Sequence, residues 1–329
     1  MISENKKVLV VGGAGYIGSH VVKALNNAGK LPVVFDNLSS GLRKNLLPGI
    51  PFILGDTLNP KQLEKAMAGV DSIIHMAAQK AIGESMREPE KYAKNNISGT
   101  INLLNAATAA EVKSFVFSSS AAVYGDPKYL PLDEAHPTDP LNFYGYTKLA
   151  IENLLRWYSQ LKGLRFASLR YFNAAGYDVD GELNGLEHSP NNLLPIVLET
   201  IVGCREKVEV FGTDYETRDG SCIRDYIHVS DLADAHLRAL NYLASKNKDL
   251  VVNLGTSKGL SVLEVLRIAR EVSGTEFKYM LGPRREGDPA VVLAKSDLAA
   301  KLLGWQAKYS DANTLLETTL RAYRQNTLT

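Results

Sequence analysis

The stretch Val8-Leu-Val-Val-Gly-Gly-Ala-Gly-Tyr-Ile-Gly18 decides how this chain is read. Val8 to Val11 form a short apolar run of the kind that makes a buried strand, and Ile17 to Ala28 carry helical periodicity. Between them, glycines at 12, 15 and 18 allow a tight turn, close backbone approach and close packing of helix on strand. A helix that starts there presents free N–H groups and a positive partial charge, which suit a pyrophosphate. Strand, glycine turn and helix together predict a dinucleotide site, with Tyr16 and Ile17 at its edge. The second strand ends at Asp36, eighteen residues after Gly18. An acid at that point accepts from ribose hydroxyls and repels a 2′-phosphate, and Asn37 follows where a phosphate-binding Arg would stand. NAD is therefore expected rather than NADP. Asp56, with Thr57 beside it, is placed to meet the adenine end.

Outward from this turn, strands are expected at 7–11, 32–35, 51–54, 72–75, 114–117 and 165–170. Helices are expected at 17–28, 59–68, 97–110 and 144–162. Strands separated by helix-length crossovers imply βαβ units, and continuous apolar strands imply helices on both faces. The fold class is α/β, a doubly wound parallel sheet with a smaller C-terminal α/β substrate-binding domain. Residues 1–173 form the first domain and 174–329 mainly the second, with about 230–255 returning to the main sheet. Within the second, 174–190 reads as a loop and 193–205 as a helix. Strands follow at 208–211 and 226–229, a helix at 230–243, a strand at 251–254, a helix at 262–272 and a loop at 284–288.

Tyr144 and Lys148 stand four apart at the start of a predicted helix, so phenol and ammonium share a face. A free phenol near pKa 10 is a poor base, and a neighbouring cation favours its ionised form. Ser118, Ser119 and Ser120 end the strand before that helix, where Ser120 can reach a substrate hydroxyl.

The motifs GGAGYIGSH (12–20), FSSSAAVYG (117–125), YGYTK (144–148), LRYFNAAG (169–176), NNLLP (191–195), FGTDYETRDGSCIRDYIHV (211–229) and RREGDP (284–289) run almost the length of the chain. Through them it resembles the extended short-chain dehydrogenase/reductases of Rossmann type, and among these the UDP-glucose 4-epimerases. The resemblance implies transient oxidation at C4 of a UDP-hexose by tightly bound NAD, giving a 4-keto sugar that is reduced from its other face. It implies that Tyr144 is the base, that Lys148 holds the nicotinamide ribose, and that Ser120 bonds the sugar hydroxyl. Met76, Ala77, Lys80, Asn95, Ser118, Tyr171 and Phe172 would line the cofactor, with Lys80 also reaching the substrate. Asn173, Asn192, Leu193, Val210, Phe211, Arg224, Arg285 and Asp288 would hold sugar, diphosphate and uridine. Val292, four residues after Asp288, would face the C2 substituent and leave room for an N-acetyl group. Helices 97–110 and 144–162 carry the positions through which similar enzymes pair, so a homodimer is implied. Ala122, Gln79 and Thr147 depart from the pattern of relatives. A sugar-nucleotide dehydratase needs an acid–base pair beside the tyrosine, and serines stand at 119 and 120.

Composition narrows the alternatives. Net charge is +1, so nothing draws the chain to nucleic acid or an anionic membrane. No apolar run reaches spanning length, and no signal peptide is expected at the start. Two cysteines, Cys204 and Cys222, suit a reducing cytoplasm. The six histidines lack metal-site spacing. His75, Tyr124 and His228 read as structural and Arg284 as solvated.

Overall fold

Seven strands pair in parallel through the computed structural model, which describes residues 7–187, 190–285 and 287–327. Residues 1–6, where the absence of a signal peptide was expected, lie outside the described residues. So do His188 and Ser189 of the 174–190 loop and Glu286 of the 284–288 loop. The strands are β1 (Lys7–Val11), β2 (Leu31–Asp36), β3 (Phe52–Leu54), β4 (Val70–His75), β5 (Ser114–Ser120), β6 (Arg165–Tyr171), β7 (Asn173–Ala175), β8 (Val208–Phe211), β9 (Ile223–Arg224), β10 (Tyr226–His228), β11 (Leu250–Leu254), β12 (Leu260–Ser261), β13 (Tyr279–Gly282) and β14 (Val291–Val292). The helices are α1 (Tyr16–Asn27), α2 (Pro60–Ala66), α3 (Ile82–Ser85), α4 (Pro89–Tyr92), α5 (Gly99–Ala109), α6 (Phe143–Lys162), α7 (Leu193–Ile201), α8 (Val229–Lys246), α9 (Val262–Ser273), α10 (Asp297–Leu303) and α11 (Ala312–Thr327).

The main sheet runs β11-β6-β5-β4-β1-β2-β3. The chain winds outward from β1 to β3, then returns to lay β4 on the other side of β1. That reversal opens a crevice beyond the carboxyl ends of β1 and β4, where such sheets bind ligands. Alternation along β1 explains its unbroken apolar run. Val8 and Val10 enter the core shared with α1 and α8, whereas Leu9 and Val11 enter the core shared with α2, α5 and α6. A third core joins α7, α9 and α11 to β8 and β10 and forms the cap. No helix among the described residues is long and apolar enough to cross a membrane.

The main-sheet elements match the sequence reading within a few residues, including the return through α8 and β11. The later part differs. The expected loop at 174–190 opens with β7, whose partner is β10 and whose residues, Asn173-Ala-Ala175, carry little strand propensity. The helix expected to Arg205 stops at Ile201, and Val229 starts α8 instead of ending β10. The 16-residue α11 was not anticipated, although Leu315, Leu316, Leu320 and Tyr323 form its buried stripe.

Candidate functional site

The glycine turn is shaped by backbone approach. Gly12 has φ +83, and a Cβ there would stand 2.6 Å from Ala77 N; a Cβ on Gly18 would stand 2.1 Å from Gly12 O. Helix α1 begins at Tyr16 with no side-chain cap, so its first N–H groups have no side-chain partner and suit an anion. Asp36 lies below the turn, where its carboxylate accepts from Ala14 N at 3.0 Å and Leu38 N at 2.8 Å. Burial raises its pKa and these bonds oppose the rise. Asn37 donates to Asp56 at 3.0 Å, which joins the ends of β2 and β3 where the adenosine end is expected. Thr57 packs against Gly99, and its carbonyl accepts from Asn102 at 3.1 Å. Met76 and Ala77 follow β4, and both N–H groups donate to Val11 O. The cradle therefore fits an NAD-sized dinucleotide: small residues where the chain approaches, N–H donors for phosphate, and an acid for ribose. Lys80 forms an ion pair with Glu187, and Asn95 turns back on its own helix to donate to Lys91 O at 2.8 Å.

Tyr144, Lys148 and Ser120 meet at the mouth of this crevice. Asn142 caps α6 by accepting from Gly145 N at 2.8 Å, so the first turn carries Tyr144 and the second Lys148. Lys148 is buried, donates to Ser118 O at 2.7 Å, and lies 5.7 Å from the Tyr144 ring centroid. Burial draws its pKa down to about 7. Burial also pushes the Tyr144 phenol up to about 12, with its bond to the Ser120 hydroxyl opposing. In the protein alone, burial is the largest influence on this phenol. Ser120 also accepts from Ala122 N at 3.2 Å, which fixes its orientation.

Several of the substrate candidates contact one another in the cap. Arg224 pairs with Asp288 at 3.4 Å, and the Arg285 guanidinium stacks 3.7 Å over the Phe211 ring. Asn173 donates its N–H to Asp225 O at 3.0 Å, directly after Arg224. Asn192 precedes α7, leaving its amide free of a cap bond, and Leu193 opens that helix. Val292 pairs with Arg224 in register and packs on the cluster of Val123, Tyr124 and Phe172, next to the Ser120 end of β5. Val210 is the exception: its side chain is fully buried in the cap core, so only its backbone can meet a ligand. Arg284 is not simply solvated; it pairs with Asp214 at 2.8 Å and lies 4.2 Å over Tyr215. His75 and His228 are core residues, bonded to Thr100 at 2.9 Å and Ser230 N at 3.0 Å.

Comparison with known proteins agrees with this geometry. The description of the NAD dependent epimerase/dehydratase family matches residues 8–255. The chain belongs to that family. Within it the chain stands with the UDP-glucose 4-epimerases. The one from Halalkalibacterium halodurans is 46% identical over 94% of this chain and 93% of its own. The crystal structure of UDP-glucose 4-epimerase from Brucella ovis in complex with NAD superposes with TM-score 0.94 at 42% identity, covering 97% and 98% of the two chains. The UDP-Glc/GlcNAc 4-epimerase of Campylobacter jejuni superposes with TM-score 0.86 at 37% identity, covering 98% and 100%.

Three residues of this NAD-dependent epimerase/dehydratase chain escaped the sequence reading. Asn96, in the π-helical turn Ala93–Ser98, accepts from Gln79 N at 2.8 Å and donates to Gln79 O at 3.0 Å and Thr147 Oγ1 at 3.1 Å. The departures at Gln79 and Thr147 leave this pattern intact, because it uses the backbone of one and the hydroxyl of the other. Glu187 holds Lys80. Glu152, one turn after Lys148, is fully buried against Arg170 at 2.6 Å and Ser119 at 2.7 Å. An acid at an apolar-stripe position of α6 was the available signal for it.

Proposed function

We propose that this chain interconverts UDP-glucose and UDP-galactose through a 4-keto sugar, with Tyr144 as base. The observation that carries the proposal is the meeting of Ser120, Tyr144 and Lys148 at the mouth of a dinucleotide cradle. NAD, when bound, supplies the hydride acceptor that a C4 hydroxyl needs to become a ketone. The residues Gly12, Gly15, Gly18, Asp36, Asp56, Met76 and Ala77 would hold it. Tyr144 takes the C4 hydroxyl proton and later returns one, while Ser120 holds the same oxygen. Lys148, in its ammonium form beside the phenol, favours the phenolate during the transfer. Arg224 and Arg285 anchor the diphosphate through bidentate forks, leaving the hexose free to present either face.

Purified protein given UDP-galactose tests this reading. Tyr144→Phe should lose at least about a hundredfold in turnover, the usual worth of a general base, while keeping its NAD. Activity within a few-fold of the parent would assign the base elsewhere.

We further propose turnover of UDP-N-acetylglucosamine, since the position beside Phe172 is the small Val292. Val292→Tyr should remove N-acetyl turnover and spare UDP-galactose; loss of both together contradicts this. Pairing into a homodimer through α5 and α6 is supported by Tyr146, Trp157 and Leu161, which α6 leaves exposed while its other face packs on the sheet. A monomeric mass by light scattering would refute it. A cytoplasmic setting accords with the free thiols of Cys204 and Cys222, and a division of the chain at 173/174 with the start of β7.

A further inference from the structure

A buried chain of polar groups floors the crevice and has a single consistent direction. His236 on α8 is fully buried, with Nδ1 2.7 Å from Leu232 O. A carbonyl only accepts, so Nδ1 carries a hydrogen. Burial draws the His236 pKa down to about 4, with the Leu232 bond opposing. The ring is therefore neutral near pH 7 and its Nε2 is bare. Nε2 stands 2.9 Å from Ser118 Oγ, on β5. Two neighbours compete for the one Ser118 proton: His236 Nε2 and Met76 Sδ at 2.8 Å. A bare imidazole nitrogen is a far better acceptor than a thioether. Nε2 also has no hydrogen of its own to offer, so the Ser118 proton goes to His236. The Tyr171 ring lies 6.5 Å from that of His236, and its hydroxyl, which also interacts with Ser118, can only donate to it.

We infer that His236 is a positioning residue for the cofactor: it fixes the order Tyr171 to Ser118 to His236, so that Tyr171 shows only acceptor lone pairs to the crevice. The ring end of the dinucleotide, beside Tyr144, would then be recognised there through an N–H donor. This rests on the assignment of the crevice to NAD. It adds a residue that makes no contact with the ligand and acts through two hydroxyls.

Two measurements test it. Nitrogen NMR of histidine-labelled protein, with the signal assigned by its loss in His236→Gln, should show Nδ1–H and bare Nε2 from pH 6 to 8. A proton on Nε2 would overturn the inference, whether or not any variant folds. The second is the rate at which bound NAD leaves the purified protein. His236→Leu should raise it roughly fivefold to tenfold, the worth of one neutral hydrogen bond. His236→Gln, which keeps an acceptor, should stay within about twofold. In a Tyr171→Phe background His236→Leu should add little, because the oxygen it orients is gone; equal losses in both backgrounds would overturn the inference. A parent protein that binds no NAD would instead sink the cofactor assignment and leave the NMR result standing.

Discussion

Replacing Glu152 with alanine should destabilise the protein by about 3–5 kcal/mol, the cost of removing one partner from a buried ion pair. Glu152 and Arg170 side chains are 0% and 3% exposed, so solvent screening offers no relief. The carboxylate accepts from Arg170 Nη2 at 2.6 Å and Nε at 2.9 Å, and from Ser119 Oγ at 2.7 Å. Its loss strands all three donors. Arg170 cannot escape by losing its proton, because a guanidinium stays charged in a protein even when burial works against it and its partner is gone. The remaining contact, Arg170 Nη1 to Tyr124 OH at 3.1 Å, gives no compensating charge. At roughly 2 °C per kcal/mol for a chain of this size, melting should fall by about 6–10 °C. Paired replacement by apolar residues of matching volume, Glu152→Leu with Arg170→Met, should recover most of that loss. Calorimetric melting of the three proteins is the assay. A Glu152→Ala loss below about 1 kcal/mol, or a double variant no better than the single, would refute the reasoning.

Gly18→Ala should fold yet purify without NAD, since its Cβ would stand 2.1 Å from Gly12 O and force the turn open; stoichiometric NAD in the variant, read from absorbance after denaturation, would contradict this. Lys148→Met should flatten a pH dependence of stability in NAD-free protein. Burial draws Lys148 down to about 7 from 10.5, so within that window the unfolded chain binds a proton that the folded chain does not, and the contribution of Lys148 rises with pH. Melting temperatures of parent and variant from pH 7 to 10 read the difference, and identical slopes would count against it. Ionisation of the Tyr144 phenol, followed by difference absorbance against Tyr144→Phe, should occur near 12 without NAD and lower with it, because the nicotinamide ring is positive. An unchanged midpoint would assign the lowering to another source.

The main sheet was legible because its signals are local. Val8 to Gly18 carry strand, turn and helix start in eleven residues, and the alternation of Val8 and Val10 with Leu9 and Val11 needs only helices on both faces. The cap was less so, because β9, β12 and β14 are two-residue strands held by tertiary pairing and not by propensity. At the site, positions followed from motif spacing but environments did not. The sequence puts Lys148 four residues from Tyr144; only the fold reveals that both are stripped of water, which moves both pKa values toward the neutral forms. Glu187, His236 and Glu152 act on residues 30 or more positions away or through α6 packing, and no spacing rule reaches them.

The central claim is that hydride leaves C4 of the sugar and returns to the same carbon. UDP-galactose carrying deuterium at C4, incubated with the purified protein and no added NAD, tests it most directly. The UDP-glucose formed should retain the deuterium at C4, with no net NADH. Deuterium lost to water, or NADH accumulating in step with turnover, would contradict the account.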